Sequence, residues 1–249
     1  MDATRRFSNR VAEYVEFRPG YPDGVFSALA QRLSPELPRV AADIGAGTGI
    51  FSRGLLAHGF EVFAVEPNAE MRAAAEASLA AEARFHSGGG RAEASALPDA
   101  SVALVSAAQS FHWFDPEQCR REWRRILMPG GIVAVIWNER RLGSSFLQAY
   151  EAAMRALAEY DEVHRRQRDR GTVRRLFEAQ PLETLEYFHQ QTFDWRGLRG
   201  RVLSSSYVPQ PGAPGHDELM GALRQAYEAH QHGGHVQFDY VTRVHVGRL

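Results

Sequence analysis

The stretch Asp43-Ile44-Gly45-Ala46-Gly47-Thr48-Gly49 decides how this 249-residue chain is read. It follows a short apolar run, residues 40–44, and precedes a helical pattern carrying Leu55 and Leu56. Glycines between a strand and a helix let the backbone turn tightly and bring its amides to a ligand at the helix N-terminus. The competing pattern is the dinucleotide fingerprint G-x-G-x-x-G/A. Begun at Gly45 it meets Ile50 at its last position, and begun at Gly47 it meets Ser52, so neither register fits. Asp43, placed just before the glycines, would repel a pyrophosphate. It suits a cationic ligand, one with an amino group and a sulfonium.

Working outward, residues 61–66 (EVFAVE) form the next apolar run and end in Glu66. An acid about 20 residues past such a loop is placed to accept hydrogen bonds from both hydroxyls of a ribose. The competing role for Glu66 is to help cap the following helix. Asn68 is itself an N-cap for an Ala-rich helix over 69–81. Residues 83–86 form a short third strand, and 101–110 are near-continuously apolar or small, as a strand buried on both faces should be. Asp115-Pro116 starts a helix that ends near Met128. Pro129-Gly130-Gly131 then turns the chain into a strand over 132–137. Strands alternating with helices predict a doubly wound α/β fold whose sheet is mainly parallel, with helices on both faces. Residues 139–180 read as helical and charged. Strands over 182–195 and 235–246 follow, with a helix over 217–230 between them. A second domain is not required: residues 1–38 read as an N-terminal helical lid, 39–138 as the ligand-binding core, and 139–249 as the remaining helices and last two strands.

The ordered set of motifs resembles the class I S-adenosylmethionine methyltransferases, whose first motif ends in an acid followed by G-x-G-x-G. More narrowly it is similar to the type 11, trans-aconitate methyltransferase-like subfamily. The residues that carry this are Tyr14-Val15-Glu16-Phe17-Arg18-Pro19-Gly20-Tyr21-Pro22, Ala92-Glu93 with Leu97-Pro98, His112-Trp113-Phe114-Asp115, and Leu127-Met128-Pro129-Gly130-Gly131. They cover residues 5 to about 140 well and the tail loosely. The resemblance implies a Rossmann-like seven-stranded sheet and S-adenosyl-L-methionine as cofactor, with S-adenosyl-L-homocysteine as product. It also implies roles. Asp43, with the backbone of Gly45 and Gly47, holds the methionine portion. Glu66 binds the ribose, with Asn68 and Met71 beside ribose and adenine. The Ala92 amide meets the adenine edge. Many relatives carry an acid just before that alanine; here Arg91 stands in its place, and Glu93 is the candidate substitute. Gln109 leaves the fourth strand facing the cofactor, and Tyr14 and Arg18 close over it.

Phe111, Trp113 and Phe114, with Tyr14 and Tyr21, divide between pocket wall and core; Phe114 reads as core, His112 and Trp113 as pocket-facing. Methyl transfer needs alignment above all, and alignment contributes about 7–11 kcal/mol. A carboxylate acceptor needs no base. A phenol, amine or thiol does, and His112 is then the first candidate, with Trp113 beside it. Arg18 also suits a substrate carboxylate.

Composition narrows the function classes. Lys and Arg total 29 against 30 Asp and Glu, so no net field draws the chain to nucleic acid or anionic membrane. No apolar stretch approaches the roughly 20 residues of a membrane span. The lone Cys119 and a start without a signal-peptide apolar run point to a cytoplasmic home. No metal-ligand spacing is present; His230, His232 and His235 flank Gly233-Gly234 and read as a surface loop. The expectation is transfer of a methyl group to a small organic molecule, with no nucleic-acid, membrane or metal partner. The alternatives are a non-catalytic S-adenosyl-ligand binder on the same fold, and a nicotinamide oxidoreductase, which Ile50 and Ser52 disfavour.

Overall fold

The computed structural model describes residues 15–162, 165, 170–178 and 180–249; Tyr14 lies outside the described residues. Seven strands form one sheet: β1 (Val40–Ile44), β2 (Glu61–Val65), β3 (Phe85–Gly88), β4 (Val102–Ala108), β5 (Leu127–Arg140), β6 (Leu182–Phe193) and β7 (Val236–Gly247). Their order is β3-β2-β1-β4-β5-β7-β6. The first five run parallel, and β7 lies antiparallel between β5 and β6. A dinucleotide-binding sheet places its sixth strand beside the fifth. The intrusion of β7 separates this sheet from that fold, as Ile50 and Ser52 did in the sequence.

The helices are α1 (Asp23–Arg32), α2 (Ile50–Ala57), α3 (Ala69–Ser78), α4 (Pro116–Ile126), α5 (Ser145–Arg155), α6 (Arg170–Phe177), α7 (Trp195–Leu203) and α8 (His216–His230). They cover both faces, and the strands show why. Along β5, Ile132, Ala134 and Ile136 pack with α1 and α2, while Val133 and Val135 pack with α4 and α6. Successive strand residues point to opposite faces, so an apolar run serves two cores at once. A third apolar cluster joins α5, α7 and α8 to Phe193, Val236, Phe238 and Tyr240 of the last strands.

Several boundaries differ from the sequence reading. The third strand begins at Phe85 rather than residue 83, because the Phe85 amide donates to Glu82 O and keeps the preceding residues in a turn. The helix after Asn68 ends at Ser78. Residues 129–131 do not separate helix from strand: Leu127 already pairs with Val102, and the register shifts before Leu104 meets Ile132. Residues 139 and 140, read as helical, continue β5 opposite Val241 and Tyr240. The strand expected over 182–195 stops at Phe193, where the Asp194 carboxylate accepts from Gly197 N at 2.7 Å and caps α7. That helix was absent from the sequence reading. In the segment read as a lid, α1 contributes Val25, Phe26 and Leu29 to the main core. The Phe26 ring lies 2.0 Å from where a Cβ on Gly54 would sit, so α1 seats directly on α2.

Candidate functional site

The glycine loop owes its shape to backbone that other residues resist. Gly45, Gly47 and Gly49 have φ of +68°, +57° and +80°. A Cβ on Gly45 would also stand 2.7 Å from Ser110 Cβ and 2.9 Å from Phe114 Cζ. The loop is then fastened from the next strand. Glu66 accepts from Gly47 N at 2.9 Å with one oxygen and from Asn68 N at 2.8 Å with the other. The cap of α3 is made by Asn68, whose side chain accepts from Met71 N at 2.9 Å, so Glu66 is not the cap. A carboxylate offers about four acceptor positions, and two remain on Glu66. Burial raises its pKa, against the two amides that lower it.

Asp43 sits deeper. Its side chain reaches no solvent, and it accepts from Ser52 Oγ at 2.6 Å and Ser106 Oγ at 3.1 Å. Burial pushes its pKa up to about 6, with the two hydroxyls pulling the other way. A cation brought beside it would lower that value again.

Two cavities lie along the carboxyl ends of β1, β2 and β4, where open α/β sheets place ligands. The first, ≈ 130 Å³, is lined by Glu66, Asn68, Met71, Arg91, Ala92 and Glu93 together with the glycine loop. Arg91 and Ala94 exchange backbone hydrogen bonds, which leaves Ala92 and Glu93 at the tip of a tight turn. The Ala92 carbonyl accepts from the buried Trp123 indole at 3.0 Å, and Glu93 accepts from Asp115 N at 3.2 Å. Glu93 thus serves the start of α4 as well as the cavity wall. The second cavity, ≈ 110 Å³, is lined by Arg18, Tyr21, Asp43, Thr48 and His112, and by residues from the far end of the chain.

Gly45, Ala108, Gln109 and Trp113 line both cavities. Gln109 has φ +59°, a conformation that costs a non-glycine residue roughly 1–2 kcal/mol. Its backbone amide donates to Ile136 O at 2.8 Å and its side-chain amide to Asn138 O at 3.2 Å. Those bonds to β5 hold the kink at the sheet's switch point. The turn after it, Phe111–Trp113, is a single 3-10 turn that sorts its aromatics. Phe111 is fully buried against Trp123 and Trp137, while the His112 and Trp113 rings lie tilted with centres 4.7 Å apart, His112 lining the second cavity and Trp113 both. Phe114, read as core, does both: it packs against Trp123 and lines the first cavity.

Sequence reasoning missed one wall. Arg140 at the end of β5, Glu151 on α5, Arg201 on α7, and Ser205 and Tyr207 beyond it all line the second cavity. Arg140 donates to Glu151 at 3.3 Å and to Tyr160 Oη at 2.5 Å. Its guanidinium lies 5.1 Å from the Tyr150 ring centre. Two signals were available: an arginine directly after a sheet-centre strand, and the Gly197-x-x-Gly200 spacing. A Cβ on Gly200 would come within 2.2 Å of the Phe17 ring, so α7 is drawn against the segment preceding Arg18. The Arg18 guanidinium in turn donates to Ser204 O at 2.8 Å. His230 ends α8, and His232 and His235 exchange backbone hydrogen bonds across Gly233-Gly234 in a turn. Among the described residues, no group of three or more His, Cys, Asp and Glu could hold a metal ion.

With this geometry in hand, likeness to known proteins can be weighed. Residues 42–135 match the type 11 family described as a methyltransferase domain. An uncharacterised methyltransferase of Mycobacterium tuberculosis is 37% identical over 144 residues, 57% of this chain and 56% of its own length. The chain therefore spans little more than half of the curated relative it matches. Among solved structures, a protein assigned as a type II methyltransferase from Anaeromyxobacter dehalogenans superposes with a TM-score of 0.67 at 25% identity, covering 93% of this chain and 98% of that one. A Haemonchus contortus phosphoethanolamine N-methyltransferase, solved with phosphomonomethylethanolamine and S-adenosylhomocysteine, shares the fold at a TM-score of 0.55 and 16% identity, over 100% of this chain and 59% of its own. These likenesses agree on one Rossmann-like methyltransferase architecture, and none singles out the trans-aconitate subfamily.

Proposed function

We propose that this chain is a class I S-adenosylmethionine-dependent methyltransferase that moves a methyl group to a small organic molecule. The observation that carries the reading is the pair of cavities meeting at Gly45, Gln109 and Trp113, because the cofactor has two chemically different halves. On the first side, Glu66 keeps two acceptor positions for a ribose diol, and the small residues Gly47 and Ala92 leave room for a flat ring. A Cβ on Gly47 would approach Met71 Cε to 3.6 Å, so the methionine side chain already borders that space. On the second side, Asp43 supplies negative charge, and the buried Thr48 hydroxyl has no hydrogen-bond partner among the described residues. The residues fit the group.

When bound, the sulfonium supplies an electrophilic methyl carbon, which an acceptor lone pair displaces from sulfur to leave a neutral thioether. The chain's own contribution is positioning. Trp113 reaches both cavities, and an aromatic face attracts a cation by about 0.5–2 kcal/mol. Gln109 is fixed by β5 in the kink that aims the following turn. His112, which lines the second cavity, is the candidate to take a proton from an acceptor that carries one. The lone cysteine is buried, in keeping with a cytoplasmic protein, and among the described residues no helix is long and apolar enough to cross a membrane.

Calorimetric titration with S-adenosylmethionine, S-adenosylhomocysteine and NADH tests the reading. Micromolar binding of both S-adenosyl ligands, weakened strongly by Asp43→Ala and Glu66→Ala, supports it. Failure of a folded sample to bind either ligand overturns it, and NADH binding in their place would point to the oxidoreductase. Binding without turnover of any offered acid, phenol, amine or thiol leaves the non-catalytic S-adenosyl-ligand binder as the function.

A further inference from the structure

The wall contributed by α5 and α7 holds more positive charge than its own residues neutralise. Arg201 is 4% exposed and Arg140's side chain 9%. Glu151 is the carboxylate that meets Arg140, and it also accepts from Arg155 at 3.4 Å and from Tyr160. Glu139, the other acid in this wall, is taken by Arg243. Arg201 is left with neutral partners: its Nε donates to Tyr240 Oη at 3.2 Å and an Nη to Ser205 Oγ at 3.4 Å. Among the described residues no carboxylate lies within 4.0 Å of it.

A buried cation without an opposing charge is costly, and such groups are ordinarily paired or turned towards a ligand. Arg201 lines the cavity, so the missing counter-charge has a place to arrive. A guanidinium offers five donors in a planar fork that matches the two oxygens of a carboxylate or phosphate. The Trp137 indole N–H in the same wall is buried and has no partner among the described residues, and it can only donate. Asp43 supplies the opposite sign from the β1 side of the cavity. One cavity therefore offers an acid to a cationic cofactor and an arginine to something anionic.

We propose that Arg201, with Arg140 in the same cavity wall, seats an anionic group, a carboxylate or a phosphate, of the methyl acceptor. This rests on the methyltransferase reading, and it makes the acceptor a small acid rather than a neutral or cationic molecule. The cofactor carries a carboxylate of its own, so the experiment has to separate these two sources of the same chemistry.

The full-length chain is saturated with S-adenosylhomocysteine and titrated with benzoate, phenyl phosphate and uncharged benzamide. At least one anion is expected to bind about tenfold or more tightly than benzamide. Arg201→Gln should abolish that preference while leaving S-adenosylhomocysteine affinity within about twofold, and Arg201→Lys should recover part of it. Ser205→Asp places a carboxylate beside an intact Arg201 and should abolish the preference too, so a folding defect in the glutamine variant does not decide the matter. Equal binding of benzamide and both anions overturns the proposal, as does a preference that survives both substitutions. Loss of S-adenosylhomocysteine affinity in folded Arg201→Gln also overturns it, since the guanidinium would then serve the cofactor. If the wild-type chain fails to bind S-adenosylhomocysteine at all, the methyltransferase reading is what fails. The same three probes on the ligand-free chain then judge the anion seat alone.

Discussion

The two cavities are neighbours built on opposite plans. The first is local: every residue in its wall comes from positions 45–114, and the glycine loop, Glu66 and the Ala92-Glu93 turn shape it. The second is assembled from segments far apart in the chain, with Arg18 and Tyr21 from one end, Arg140 and Glu151 from the middle, and Arg201 to Tyr207 from the other. A glycine loop shaped by positive φ recognises through backbone that it holds in advance. A wall made from four elements recognises through charged side chains, and those depend on each other to stay buried. The first plan should resist substitution away from its few fixed points, whereas the second should respond as a network.

The largest effect should come from the network. Glu151→Gln leaves Arg140 buried without its acid, and removing one partner of a buried ion pair costs about 3–5 kcal/mol. Urea denaturation should show a loss of that order, and a loss below about 1 kcal/mol would mean that the tyrosines alone support the Arg140 guanidinium.

Next is the pH dependence centred on Asp43. Its pKa is raised from 3.8 to about 6 in the folded chain, so the protonated form is favoured there. Stability from this group is present below the unfolded value and is lost as pH rises through about 6, a change of about 3 kcal/mol. A cationic ligand needs the ionised form. Its Kd should be flat above pH 7 and should weaken towards tenfold per unit below 6, by calorimetry across that range. Asp43→Asn should bind weakly with a flat profile, and a wild-type profile without the break would separate Asp43 from the ligand.

Glu66→Gln tests the local plan. One oxygen becomes an amide that cannot accept, so either Gly47 or Asn68 loses its partner. About 2–3 kcal/mol of S-adenosyl-ligand affinity should go with it, roughly a hundredfold in Kd. The smallest effects make the sharpest contrast. Asn68→Ala and Ser144→Ala each remove an N-cap, of α3 and α5 respectively, and each should cost about 1 kcal/mol of stability. Only the first should weaken the S-adenosyl ligand. Equal losses of affinity in both would erase the distinction between the cavities.

The same distinction governs what could be read from the sequence. Asp43, the glycines, Glu66, Asn68 and Asp115 were legible because each acts within a strand–turn–helix unit, and such units carry local signals of turn and cap chemistry. Asn68 and Asp115 cap their helices as read, and the glycines take the positive φ that a tight turn needs; the full burial of Asp43 against Ser52 and Ser106 is something no local pattern records. Arg201 was not legible. Its partners lie at Ser205 and at Tyr240, and its helix begins where alternating apolar residues made the strand seem to continue. Glu139 and Arg140 were read as helix because they are charged, yet pairing with Val241 and Tyr240 holds them in β5. Tertiary pairing overrode local character at those positions, and those positions form the wall whose ligand is least determined.

The position of β7 has a temporal consequence. β6 meets the sheet only through β7, and β7 follows it in the chain by more than forty residues. During synthesis β1 to β5 can pair in the order they emerge, but β6 must wait with an unsatisfied edge until β7 arrives between it and β5. Arg140 meets Tyr240 in that same late step, and Tyr240 is the residue that holds Arg201. The glycine loop can therefore be fully formed on a nascent chain whose anion seat does not yet exist.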